Sequence, residues 1–539
     1  MTKEEQIIID LINWLKKEKP DLGLFKREIA TKYQIACPNN VTLLTTYHKL
    51  LKKKKIKKQP LIEKLLKTRP VRSLSGIVNI SVLTKPYPCP GQCLYCPKEK
   101  GIPKSYVSGE PAVERAKNLN YDPYLQTKKR IEALKMEGHI TEKIELRIVG
   151  ATWSAYPKTY QAWFIKRCFE ACNENAQISN SQFPISQKIS KFQIQNLKKE
   201  QKLNEKAKQR IVGLSIETRP DFINEKEIKW LRELGVTMVE LGVQSIDDDV
   251  LKLNLRGHQV KETIKATRLL KDAGFKVLYQ MMPNLAGADL KKDEQMFEEL
   301  FKNPDFQPDY LKIYPCVLLK EAPLYQLWQK GAYQPYSEKQ LIELLANIKK
   351  KIPYYVRIQR IVRDIPSFKI MAGTKLSNLR QILTEKMKKE NWQCHCIRCR
   401  EVKQNYNPKE KIYLFRQDYL ASEGKEIFLS FENKKRSKLY SLLRLRIPFN
   451  NAVVSVLPVL KDAALIREIR TYGETVPISQ KRKAVQHRGL GKKLIREAEK
   501  IAQKEFGLKK IAVISGIGAR DYFRKLGYQL RETYLIKKI

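Results

Sequence analysis

Along the middle of the chain, apolar β-branched runs alternate with amphipathic stretches. The runs at 76–84 (GIVNISVLT), 144–150, 211–218, 236–245, 276–283 and 310–316 carry few polar positions, so each predicts a strand buried on both faces. Between them, 224–234 and 261–273 show helical spacing, the second closed by Gly274. Strand and helix in strict alternation predict parallel β/α units. Six such strands predict an incomplete β/α barrel over 71–375, with its site at the C-terminal strand ends.

Two regions depart from this rhythm. Residues 1–70 read as short helices rich in lysine. Residues 173–209, dense in Gln, Asn, Ser and Lys with little periodic apolar content, predict a flexible insertion. Beyond 403 the pattern changes to antiparallel strands (EIFLSFEN, LYSLLRLRIP, ALIREIRTYGE). A helix then opens on glycines, followed by the strand KKIAVIS and a last helix in GARDYFRKLGY. The expected class is therefore α/β: a basic helical start, a partial barrel, a linker at 376–402 and a mixed α/β domain at 403–539.

Length and charge sharpen the picture. The 539 residues suffice for several cores. No apolar run approaches the roughly 20 residues of a membrane span, and the first residues fit an amphipathic helix better than a secretory leader. A cytoplasmic protein with reduced thiols and no membrane partner is expected. Lys and Arg number 104 against 57 Asp and Glu, a net charge of +47. Such a one-signed field captures polyanions, which makes nucleic acid the leading partner and disfavours a basic peptide substrate. A lysine-biased composition is the plainer alternative. Seven cationic residues fall between Lys49 and Lys58. Lys52, Lys53, Lys54, Lys55, Lys57, Lys58 and Arg72 are the candidate phosphate contacts.

The chemistry is concentrated in three motifs. Cys89, Cys93 and Cys96, spaced C-x3-C-x2-C just after the first barrel strand, can bind three irons of a [4Fe–4S] cluster and leave the fourth open. An incomplete zinc loop or chance clustering is the alternative. Gln486, Arg488, Gly489 and Gly491 in QHRGLG open a helix, where backbone N–H groups and the helix dipole can face a pyrophosphate. Cys394, Cys396 and Cys399 lie close enough for one zinc ion, which would need a fourth ligand from Cys316, Cys37 or a histidine; three free thiols is the alternative. His395, between two of these cysteines, is poorly placed to ligate. Cys168 and Cys172 read as helix core, and His48, His139 and His258 as structural groups, with His258 able to face the barrel mouth.

The loop CPGQCLYCP resembles the radical S-adenosylmethionine family, and QHRGLG followed by YFRKLGY resembles the GCN5-related acetyltransferases. Both in this order resemble the Elongator catalytic-subunit family, as do RPVRSLSGI, YDPYLQTKKRIEAL, SIETRPD, LGVQS and CIRCREV. The resemblance implies that the open iron binds S-adenosylmethionine, which is cleaved to a 5′-deoxyadenosyl radical, with Gly150, Thr152, Glu217 and Gln244 as cofactor contacts. It implies acetyl-coenzyme A held by the glycine turn. The family's acidic tyrosine position here is Phe523, so its neighbour Tyr522 is the candidate catalytic and cofactor-binding group. The implied reaction installs a carboxymethyl group at C5 of the wobble uridine of transfer RNA. A protein lysine acetyltransferase and a non-catalytic RNA-binding scaffold are the rivals. A stand-alone enzyme, a homodimer and a subunit of a larger Elongator-like assembly are all compatible with it.

Overall fold

The six apolar runs fold as strands β1 (Val78–Leu83), β2 (Lys143–Val149), β3 (Arg210–Thr218), β4 (Met238–Gln244), β5 (Lys276–Met281) and β6 (Tyr310–Ile313) of one parallel sheet. All of β4 is buried, as a run apolar on both faces requires. After the short β7 (Leu318–Leu319), strand β8 (Arg357–Arg360) pairs with β6. The sheet therefore has seven strands in the order β1-β2-β3-β4-β5-β6-β8, a curled half-barrel rather than the six-stranded one expected. The charged sequence RIQR gives β8 no apolar run to recognise. Strand β9 (Ile370–Ala372) pairs with β7 beside the barrel mouth. The computed structural model describes residues 1–15, 21–68, 73, 75–174, 189–403, 407, 409–473 and 489–539. Among these, no helix is long and apolar enough to cross a membrane.

The flexible insertion is corrected in its second half, where Lys191–Asn204 is a helix. Ser190 caps it: its hydroxyl accepts from the Gln193 N–H at 3.2 Å while the Gln193 side chain accepts from the Ser190 N–H at 3.0 Å. Leu197 is buried against the barrel helices, and the Asn204 side-chain Oδ1 accepts from the Ile211 N–H at 2.8 Å, tying the helix to β3. Residues 175–188 of that expectation lie outside the described residues.

Helices Lys3–Trp14, Leu22–Tyr33, Asn40–Lys52 and Pro60–Leu66 bury Ile7, Leu11, Phe25, Leu44, Tyr47 and Ile62 in a core of their own. The second domain is a mixed sheet of β10 (Tyr413–Leu420), β11 (Gly424–Glu432), β12 (Leu439–Pro448), β13 (Ala464–Thr471), β14 (Lys510–Val513), β15 (Gln529–Arg531) and β16 (Tyr534–Lys538). Its strand order is β10-β11-β12-β13-β14-β16-β15.

The two sheets are joined by a buried network of ions. Arg467 on β13 donates to Asp309 (2.6 Å) of the barrel and to Glu426 (2.9 Å), and Arg446 on β12 donates to Asp272 (2.8 Å) and Glu426 (3.0 Å). Arg444 reaches Asp309 at 3.5 Å and donates to the Tyr355 carbonyl at 2.7 Å. Backbones also meet closely: a Cβ at Gly516 would stand 2.2 Å from the Val212 carbonyl oxygen of β3. Gly516 has φ −65°, so alanine there is opposed only by this contact. Gly516→Ala is expected to destabilise the protein by at least about 1–3 kcal/mol. A denaturant midpoint equal to the parent's would contradict the close approach.

Candidate functional site

The loop after β1 carries Cys89, Cys93 and Cys96. It is pinned by Leu94, whose N–H donates to the Asn254 carbonyl (3.1 Å) and whose own carbonyl accepts from the Leu324 N–H (2.8 Å). Cys93 and Cys96 are buried and Cys89 is half-buried, with its sulfur 3.4 Å from the Thr152 hydroxyl. A Cβ at Gly91 would lie 2.4 Å from an Arg219 Nη, so glycine alone lets that guanidinium reach the loop. Its other nitrogens hold Asp221 at 2.9 Å, while Nη1 is buried with no hydrogen-bond partner. Arg256 Nη1 stands 3.5 Å from the Cys93 sulfur. Burial works to raise the Cys93 thiol, but Arg256 outweighs it and holds the group below the ordinary cysteine value.

These features fit an anionic iron–sulfur group. Three thiolates ask for nearby positive charge, and a buried guanidinium nitrogen without a partner is otherwise costly. The sulfurs also stand further apart than those of Cys394, Cys396 and Cys399, which all lie within 4.8 Å of one another as one ion requires.

Around the strand ends, Gly150 has φ +131° and a Cβ there would be 2.0 Å from the Thr84 hydroxyl. Gln244, at φ +72°, is buried with its Oε1 unpartnered, a backbone conformation and a polar atom that a bound group would justify. The Glu217 carboxylate accepts from the Tyr106 hydroxyl (2.9 Å), Gln280 (3.2 Å) and Lys312 (3.2 Å), and Lys312 also pairs with buried Glu240. Burial would raise the Glu217 carboxyl, yet Lys312 keeps it low and ionised. Tyr106, Glu217, Gln244 and Lys312 line a cavity of about 1120 Å³ that fills the half-barrel. Sequence reasoning missed Tyr106, Arg256 and Lys312, because none belongs to a spaced motif.

In the second domain β13 pairs with β14 only through Ala464–Ile466 and Ile511–Val513, so the strands part beyond that point. A cavity of about 110 Å³ opens in the wedge, lined by Arg467–Arg470, Ile514–Gly516 and barrel residues 212–215. Gly489, at φ +67°, caps helix Leu490–Lys504 without a side-chain hydrogen bond, so the first N–H groups of the helix can face a phosphate. A Cβ at Gly491 would be 3.2 Å from the Tyr522 hydroxyl. Tyr522 is therefore beside the turn, whereas Phe523 is buried in the domain core. Burial raises the Tyr522 hydroxyl above its ordinary value, which keeps it a proton donor. Gln486 and Arg488 lie outside the described residues.

The Cys394, Cys396 and Cys399 trio sits at the junction of the two domains, with Ile397 N–H donating to the Val356 carbonyl at 2.9 Å. The three sulfurs fit one soft divalent ion. Of the fourth ligands expected, Cys37, Cys316 and the described histidines stand apart from the trio, and His487 lies outside the described residues. Among the described residues no other Cys, His, Asp or Glu joins the group. Cys316 packs in a separate apolar cluster with Leu285 and Leu324, Cys37 is exposed, and His395 stacks on Tyr354 with centroids 4.4 Å apart. The nearest charged neighbour the structure gives is Lys349, with Nζ 3.6 Å from the Cys399 sulfur. Cys168 and Cys172 are fully buried core, as their helical spacing predicts. His258 is buried near Arg256 and Arg219 behind the cysteine loop.

Of the basic candidates, Lys52, Lys53, Lys54, Lys55, Lys57 and Lys58 are exposed between helices Asn40–Lys52 and Pro60–Leu66. Lys53 stands 3.7 Å from Glu5 and Lys58 3.4 Å from Glu63. Arg72 lies outside the described residues.

Residues 87–300 match the model of the radical SAM superfamily, 308–389 that of the radical SAM C-terminal domain, and 481–528 that of the acetyltransferase (GNAT) family. The chain is similar to a tRNA uridine(34) acetyltransferase of Methanocaldococcus infernus, 45% identical over 493 residues that span 88% of each chain. It is 36% identical over 543 residues to Elongator complex protein 3 of Homo sapiens, spanning 96% of this chain and 93% of that one. The chain belongs to the Elongator complex protein 3 family. A solved member, the M. infernus Elp3 lacking its N-terminus, superposes with a TM-score of 0.72 at 43% identity, covering 86% of this chain and all of the other. In this Elongator complex protein 3 family member, the radical SAM C-terminal match at 308–389 takes in β6, β8 and β9.

Proposed function

We propose that this protein modifies the wobble uridine of transfer RNA, using a [4Fe–4S] cluster, S-adenosylmethionine and acetyl-coenzyme A to place a carboxymethyl group on C5. The observation that carries the reading is one cavity whose wall includes Cys96 of the cysteine loop and, at its other end, Arg470, Tyr472 and Gly473 from the acetyltransferase strand. A radical step and an acyl donor need such a shared space, since the radical must meet the acetyl group before it is quenched. The names of the relatives, a tRNA uridine(34) acetyltransferase and Elongator complex protein 3, support the substrate.

When bound, the cluster with S-adenosylmethionine supplies one-electron hydrogen abstraction, and acetyl-coenzyme A supplies the two-carbon unit. Cys89, Cys93 and Cys96 hold the cluster, while Arg219 and Arg256 balance its charge. Gly150, Thr152, Glu217 and Gln244 line the strand ends as the cofactor contacts. The turn at Gln486, Arg488, Gly489 and Gly491 offers backbone N–H groups to the pyrophosphate, and Tyr522 stands ready to protonate the departing thiolate. Cys394, Cys396 and Cys399 hold zinc at the domain junction. Lys52 to Lys58 and Arg72 contact transfer RNA phosphates, which makes affinity fall steeply with salt. A single base leaving the anticodon stack enters the cavity.

The reading is tested anaerobically with reconstituted protein, dithionite, S-adenosylmethionine, acetyl-coenzyme A and transfer RNA, with nucleosides followed by mass spectrometry. 5-Carboxymethyluridine appearing together with 5′-deoxyadenosine is the expected result. Acetyl transfer to a peptide lysine with no dependence on S-adenosylmethionine would replace it with a protein acetyltransferase, and absence of all turnover would leave an RNA-binding scaffold.

A further inference from the structure

Ile77, Glu145 and Arg470 line both the barrel cavity and the wedge between β13 and β14, so they form the partition between the two. The partition is ionic. Glu145 accepts from Arg147 Nη2 at 3.1 Å and stands 3.6 Å from Arg470 Nη1. One carboxylate thus faces two guanidiniums. The Nε atoms of both Arg147 and Arg470 are buried and have no hydrogen-bond partner among the described residues. Burial works to raise the Glu145 carboxyl, yet Arg147, Arg470 and Lys276 hold it down at about 2, so the acid is fully charged and two arginines still exceed it.

The neighbouring wall repeats the imbalance. Arg357 pairs with Glu401 at 2.7 Å and donates to the Tyr472 hydroxyl at 3.3 Å, and Arg398 lines the same stretch of wall. Among the described residues along this stretch, Arg147, Arg357, Arg398 and Arg470 oppose Glu145 and Glu401. The cysteine-loop end is different, because there Glu217 and Glu240 share Lys312. Excess positive charge inside a cavity, with unsatisfied guanidinium nitrogens, is stabilised by an anion that both arginines can reach.

We propose that Arg147 and Arg470 form a carboxylate-binding subsite in the partition, which takes the carboxylate of the carboxymethyl group on the modified uridine. This rests on the carboxymethyl reading above. The two-carbon unit is the part of the reactants that has to pass from the wedge to the barrel cavity; once it is bonded to C5, water cleaves the thioester, coenzyme A leaves as the thiol, and the carboxymethyl carboxylate is the anion available at that crossing. A planar guanidinium matches a carboxylate with two parallel hydrogen bonds, so the subsite distinguishes the acid from a neutral ester of nearly the same shape.

The test uses the full chain and three nucleosides: 5-carboxymethyluridine, its methyl ester and uridine, ranked by competition in saturation-transfer NMR. The acid is expected to bind about tenfold more tightly than the ester or uridine, which is the factor one charge-assisted hydrogen-bond pair provides. Arg147→Gln and Arg470→Gln are each expected to bring the three within about twofold of one another, while Arg470→Lys keeps part of the preference. Circular dichroism and the denaturant midpoint of each variant establish that it is folded. Equal binding of acid and ester by the parent overturns the proposal, as does a preference that survives both glutamine variants. Displacement of the acid by millimolar inorganic phosphate would also overturn it, in favour of a phosphate site. A failed modification assay with the acid preference intact removes the reaction and leaves the subsite standing. Loss of the preference with modification intact removes the subsite alone.

Discussion

Cys93→Ala protein is expected to form no 5′-deoxyadenosine and no modified uridine, a loss on the order of 10³-fold or more. Of the three loop cysteines, Cys93 has Arg256 Nη1 3.5 Å from its sulfur and lies under Gly91, where Arg219 enters. Removing this thiolate leaves two ligands for three irons and two guanidiniums facing an apolar methyl. The charge balance that makes the loop a cluster site is then reversed. Iron and sulfide content after reconstitution, and the electron paramagnetic resonance signal of the reduced protein, report the cluster directly. Cys168→Ala is the matched control: an equally small deletion at a fully buried thiol, expected to cost stability but not iron. Full iron content in Cys93→Ala would show that these cysteines do not bind the cluster.

The second large effect concerns stability. Arg467→Ala is expected to cost about 3–5 kcal/mol, because it strips the guanidinium from two buried carboxylates at once. Asp309 and Glu426 accept from it at 2.6 Å and 2.9 Å, and all three side chains are fully buried. Burial alone would raise the Asp309 carboxyl; Arg467 and Arg444 reverse this and hold it well below the usual carboxylate range. A depressed folded-state pKa contributes stability that is complete above the unfolded value near 4 and is lost as pH falls through the folded one. The gap between parent and variant is therefore expected to be widest near neutral pH and to close in acid. Urea midpoints measured from pH 7 down to about pH 2 check both parts, with the gap narrowing below about pH 4. A midpoint at neutral pH within error of the parent's would mean the ion network does not hold the sheets together.

That network also explains where sequence reading stopped. The barrel strands were recognisable because both their faces are apolar, and β8 was lost because RIQR is not. In LYSLLRLRIP, leucine and arginine alternate as in a strand with one face in water. Yet of β12 only the terminal Pro448 is not fully buried, because the face carrying Arg444 and Arg446 packs on the barrel. Alternation reveals two faces but not what covers each of them. The edge strand β10 is half-exposed throughout, and its mixed sequence has the ordinary look of a loop. The helix at Lys191–Asn204 had one local signal, the Ser190 and Gln193 capping pair, in a stretch whose polar composition argued the other way.

The sites were uneven in the same manner. Both cysteine trios and the glycine turn are local in sequence, and each is visible there as a spaced motif. The groups that give them an environment come from far along the chain: Arg219 and Arg256 behind Cys93, and Lys349 beside Cys399. At the second trio, the Lys349 ammonium 3.6 Å from the Cys399 sulfur comes from 50 residues earlier in the chain, where no motif announces it.

The ion network has a consequence for the order in which the chain is made. Asp309 precedes its partner Arg467 by 158 residues, and Asp272 precedes Arg446 by 174. At roughly 5 to 20 residues per second, the arginines leave the ribosome about ten to thirty seconds after the acids. Once β8 has been made at Arg357–Arg360, the half-barrel has its strands but not the counter-charges for its outer wall. The nascent barrel must keep this wall hydrated until the second sheet arrives, and that makes its docking the step that commits the whole chain to the native state.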